Sequence, residues 1–107
     1  MMDDQLRAVL AQLRKRLEGI YGPRLVHIVL FGSQARGEAD LGSDIDVLVV
    51  LQGPVYPSEE IARTGGAITA LSLEYDTVVS CVFMSMEQYE TERSPLLLNI
   101  HREGIAA

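Results

Sequence analysis

The amino-acid sequence predicts an α/β (α+β) domain, a small mixed β-sheet of about three strands flanked by helices. Three observations carry that prediction. Apolar residues near the start recur at the spacing of one helical face, whereas two later apolar runs are dense, rich in β-branched residues and only strand-length. No repeat, low-complexity segment or long linker interrupts the alternation, so helices and strands can share one core.

The first helix is predicted from Leu6, Val9, Leu10, Leu13, Leu17 and Ile20, with Gln5, Arg7, Gln12, Arg14 and Glu18 off that face. It should end between Gly19 and Gly22, where Pro23 closes it. Leu25-Val26-His27-Ile28-Val29-Leu30-Phe31 reads as a buried strand stopped by Gly32. Residues 32–43 hold three glycines among small and polar residues, and residues 44–51 read as a second strand, ended by Gly53 and Pro54. Ser58 with Glu59 and Glu60 looks like a helix start, leading to apolar positions Ile61, Ile68, Leu71 and Leu73, with Gly65-Gly66 weakening the helix. Tyr75 through Met84 is rich in β-formers and is expected to be the third strand. In the tail, Ser85 and Ser94 suit N-caps, Pro95 suits a first turn, and Leu96, Leu97 and Ile100 form a packing face before Gly104.

A chain of 107 residues fits one domain, residues 1–107, and leaves little room for a second one devoted to an acceptor. Hydrophobic residues make up 48% of it, enough for a core, yet no apolar run approaches the roughly 20 residues of a membrane span. The first residues are acidic and amphipathic, unlike an export signal, and Cys81 is the only cysteine, so a cytoplasmic location is expected. The net charge of −6 opposes broad binding to nucleic-acid backbones, which requires clustered Lys and Arg.

The chemistry concentrates where a strand meets a glycine turn and two alternate acids open the next strand. Side chains at i and i+2 of a strand share a face, so Asp44 and Asp46 should project together while Ile45 and Val47 face the core. Two carboxylates so placed repel unless a divalent cation lies between them. Mg²⁺ suits a site of few acids, because it keeps waters and completes its shell with substrate phosphate oxygens. Upstream, Gly32 and Ser33 sit where the first strand gives way to a short helix, and exposed backbone N–H groups there favour a phosphate. Arg36 either contacts that phosphate or pairs with Glu38, Asp40 or another acid. Two other phosphate motifs fail: the P-loop glycine spacing lacks its Lys-Ser/Thr pair, and a Rossmann fingerprint would need glycine at Gln34.

The stretch GSQARGEADLGSDIDVLVV resembles the signature of the DNA polymerase β-like nucleotidyltransferase superfamily, in its minimal nucleotidyltransferase branch. A Gly-Ser, an interval of about ten residues and an Asp-x-Asp on a strand match at Gly32, Ser33, Asp44 and Asp46. The resemblance implies the nucleotidyltransferase fold, ATP or another nucleoside triphosphate as substrate, and two Mg²⁺ ions. It also implies a third acid on a later strand. Asp76 is the candidate, as the acid expected to open the third strand, with the longer Glu74 nearby. On this resemblance the catalytic and metal-holding residues are Asp44, Asp46 and Asp76, and the nucleotide-binding ones Gly32, Ser33 and Arg36. The branch further implies transfer of AMP to a hydroxyl on a partner, often a HEPN-domain toxin. With few residues to enclose a substrate, a homo- or hetero-oligomer is expected, in which a partner subunit or a second copy completes the site. The alternative is a non-catalytic antitoxin that keeps the fold and neutralises its partner by contact.

Other polar residues have plainer readings. His27 and His101 lack companions for metal binding and read as packed or surface residues, and Asp3-Asp4 and Glu59-Glu60 read as helix-start acids. Ser43 suits the turn before Asp44.

Overall fold

A computed structural model describes residues 3–37 and 44–107. Helix α1 spans Asp4–Tyr21 and begins at Asp3, whose carboxylate accepts a hydrogen bond from the Leu6 backbone N–H at 2.7 Å. Its predicted stripe faces the core: Leu6, Val9, Leu10, Leu13 and Leu17 are buried, and Ile20 packs against them partly buried. A 3₁₀ turn at Gly22–Arg24 leads into β1, Leu25–Phe31, and then α2, Ser33–Arg36. Strand β2 is Ile45–Leu51, α3 is Pro57–Glu74 and β3 is Val79–Ser85. Two short helices, α4 at Met86–Thr91 and α5 at Pro95–Glu103, precede β4 at Ile105–Ala106.

The sheet is mixed, in the order β3-β2-β1-β4, with β1 antiparallel to both β2 and β4, and β2 parallel to β3. Alternation along β2 divides the core. Ile45, Val47, Val49 and Leu51 join the cluster under α1 and α3, while Leu48 and Val50 join Val29, Met84, Leu97 and Ile100 under α5. Asp46 is in phase with the second set.

The structure departs from expectation in four places. A fourth strand exists, two residues long and held by its pairing to β1, too short to leave a periodic signal. The third strand begins at Val79, not Tyr75, because α3 continues to Glu74 and unwinds through bonds such as Thr77 N–H to the Ser72 carbonyl at 3.0 Å. Helix α3 starts one residue before Ser58, with Pro57 in its first turn, and Gly65-Gly66 do not interrupt it. The roughly 1 kcal/mol cost of each glycine is offset by packing of the same helix through Thr64 and Leu71. Finally, Ile61, Leu73 and Leu96 are exposed, Leu73 to 78%, so these do not serve the predicted packing faces.

Ser85 and Ser94 do cap α4 and α5, accepting from the Gln88 and Leu97 N–H groups at 3.1 and 3.3 Å. His27 and His101 are exposed and flank the Tyr89 ring. Cys81 is a partly buried strand residue with a free thiol, which burial pushes up to a pKa of about 12. Among the described residues, no helix is long and apolar enough to cross a membrane.

Candidate active site

The register of β1 on β2 sets Phe31 opposite Asp46, so the chain leaving β1 turns directly over the Asp46 carboxylate. Gly32 makes that turn with φ 75° and ψ −156°. A Cβ at Gly32 would lie 2.6 Å from Asp46 Oδ2, inside any permissible contact. The glycine is therefore required twice, once by its dihedrals and once by the carboxylate beneath it. Ser33 starts α2 immediately afterwards, and the Arg36 N–H bonds back to the Gly32 carbonyl at 3.2 Å. The phosphate-type turn and the acid pair are thus one locality, joined by strand pairing.

Asp44 immediately precedes β2 and is exposed, while Asp46 is half-buried within the strand. The Ile45 N–H between them bonds the Val78 carbonyl at 2.8 Å, which holds the start of β2 against β3. Burial first, and then the negative charge of Asp44, raise the Asp46 pKa above the ordinary carboxylate value. A cation between the two acids would remove that penalty, and their all-oxygen donors suit Mg²⁺. The donor set fits such an ion.

Arg36 lies at the far end of α2, where Nη1 stands 3.6 Å from Glu103 Oε2 on α5. The two line a cleft of about 220 Å³ with Phe31, Gly32, Asn99 and Ile100. The local acids Glu38 and Asp40, and the turn residue Ser43, lie outside the described residues.

Asp76 is placed differently from its prediction. It sits in the exposed turn between α3 and β3, three residues before the strand, at φ 50°. Among the described residues no three His, Cys, Asp or Glu side chains gather as a metal centre. Glu74 ends α3 and is exposed. The β3 residue in register with Asp46 is Ser80, a hydroxyl in place of an acid. Sequence reasoning missed both Ser80 and Glu103, because each reaches the site through register or packing and neither belongs to the local motif.

A glycine turn leaving β1 and laid on an acid pair at the start of β2 suits an enzyme that handles a phosphorylated substrate at one end of a mixed sheet. The sequence pattern of the nucleotidyltransferase domain family matches residues 10–103, and the chain belongs to that family. It is 31% identical to a candidate protein adenylyltransferase of Methanocaldococcus jannaschii, over 67% of this chain and 72% of that protein. Its fold is similar to that of a toxin-antitoxin crystallised with AMP-PNP, with TM-score 0.64 at 20% identity, covering 97% of this chain and 72% of the other. It is also similar to a Shewanella oneidensis structure of a tri-AMPylated HEPN toxin in complex with its minimal nucleotidyltransferase antitoxin. There the TM-score is 0.56 at 19% identity, covering 95% of this chain and 67% of the other. At these identities the two structures speak for the fold.

Proposed function

We propose that this nucleotidyltransferase moves AMP from ATP to a hydroxyl on a partner protein, a HEPN-type toxin, and so acts as its antitoxin. The observation that carries the reading is the Gly32 turn seated on the Asp46 carboxylate, which sets a phosphate-binding backbone beside the acid pair. The M. jannaschii relative and the AMPylated toxin complex support the donor and the kind of acceptor.

In this reading Gly32 and Ser33 hold the terminal phosphates by backbone N–H and hydroxyl groups, Arg36 adds charge, and Asp44 and Asp46 hold Mg²⁺. When bound, two such ions neutralise the triphosphate and orient it for in-line displacement. The acceptor oxygen bonds to the α-phosphorus, the bond to the bridging oxygen breaks, pyrophosphate departs with that electron pair, and the hydroxyl proton is released to solvent. The partner or a second copy of the chain completes the enclosure of the nucleotide.

One observation favours a second reading. Without a third acid at Asp44 and Asp46 among the described residues, the chain could bind nucleotide and neutralise its partner by contact alone. The test is Mg²⁺-dependent transfer of labelled AMP from ATP to the product of the neighbouring gene, comparing the intact chain with Asp44→Asn/Asp46→Asn. Label transfer that disappears in the double variant supports the enzyme. No transfer, with partner binding intact in both proteins, supports the contact antitoxin.

A further inference from the structure

We propose that Glu103 is a positioning residue for the triphosphate site, holding the Arg36 guanidinium over the cleft beside Gly32. The inference rests on the nucleotidyltransferase reading and extends the site to the end of α5. Arg36 and Glu103 are 67 positions apart in sequence and meet at 3.6 Å, each about one-third exposed. An arginine carries five donors in a planar fork and can meet a carboxylate and phosphate oxygens at once. Holding the fork in place removes rotamer freedom before the ligand arrives.

The backbone carrying Glu103 is itself fixed. A Cβ at the next residue, Gly104, would meet the Ile100 carbonyl oxygen at 2.5 Å and Val29 Cγ1 at 2.6 Å, so α5 ends flush against β1. Beyond it Ile105 pairs with Leu30, and the Ala107 N–H bonds the Ile28 carbonyl at 2.8 Å. Glu103 therefore projects from a segment anchored to the strand whose end forms the Gly32 turn. Arg102 also approaches Glu103, at 3.7 Å, but from an exposed position on the same helix.

The test titrates ATP with Mg²⁺ into the full chain and its variants, with KM and kcat measured wherever transfer occurs. Glu103→Ala should weaken ATP binding about two- to fivefold, the scale of a partly exposed ion pair. Glu103→Gln, which keeps an acceptor and the side-chain volume, should weaken it less than Glu103→Ala does. Weakening should fall on Kd and KM while kcat stays within about twofold, because Glu103 touches no reacting atom. Arg36→Ala/Glu103→Ala should bind no worse than Arg36→Ala, as expected when one residue acts through the other. Glu103 variants with unchanged or tighter ATP binding, or losses that add fully in the double variant, would overturn the inference while leaving the nucleotidyltransferase reading intact. An intact chain that binds no ATP would overturn both.

Discussion

Replacing Gly32 by alanine tests the geometry on which the site depends. The substitution has two separable costs. With φ 75° and ψ −156°, the residue occupies a region essentially reserved for glycine, and forcing alanine there costs about 1–3 kcal/mol. The new methyl would also stand 2.6 Å from Asp46 Oδ2, and relieving such an overlap costs about 1–3 kcal/mol more. Together the loss is about 2–6 kcal/mol, a large part of the 5–15 kcal/mol typical of a small domain. At about 4 °C per kcal/mol for this size, the Tm should fall by about 8–24 °C. Far-UV circular dichroism reads the shift. Adding Asp46→Ala should recover the overlap share, about 1–3 kcal/mol, and leave the dihedral share, giving a measurable coupling in a double-mutant cycle. AMP transfer by Gly32→Ala should be lost even where the protein is folded. A Tm within about 2 °C of the parent, or a double variant with no coupling, would refute the reasoning.

Asp76→Asn should keep AMP transfer within about threefold, since Asp76 lies in an exposed turn three residues before β3 and asparagine tolerates its positive φ; a loss of about a hundredfold would restore it as the third carboxylate. The buried Glu60 accepts from the Tyr21 hydroxyl at 2.9 Å and from the Tyr56 N–H at 3.3 Å, and pairs with Arg63. Burial alone would raise its pKa, but these partners together lower it, so the folded state binds fewer protons than the unfolded chain near the ordinary carboxylate value. Its contribution is present above that value and is lost as pH falls through the lowered one; Glu60→Gln should flatten the acid limb of Tm against pH. Burial, followed by the Glu60 hydrogen bond and charge, raises the Tyr21 pKa from 10.0 to about 12. The folded state then keeps a proton the unfolded chain has released, and about 2–3 kcal/mol of stability should disappear as pH rises through that window. Tyr21→Phe should remove this alkaline loss, seen in urea unfolding across the range, at a cost of about 1 kcal/mol at neutral pH.

Local physics made much of this protein legible in its sequence. The stripe from Leu6 to Leu17 is a one-faced helix because 3.6-residue spacing puts those side chains on one side, and that face is buried. The serines at 85 and 94 cap because their side chains reach N–H groups three residues ahead, and the i, i+2 spacing of Asp44 and Asp46 places two like charges at one strand entrance. What the tertiary structure decided depends on pairing over long separations. Only the register of β1 on β2 lays Gly32 against Asp46, and only β2 on β3 sets Ser80, not Asp76, beside it. Composition favours strand from Tyr75 onward, but the end of α3 claims those residues through its own backbone bonds, which carries Asp76 into a turn. Ion pairing of Arg36 with Glu103 was likewise invisible, because the attraction between two charges depends on distance in space and a sequence states only distance along the chain.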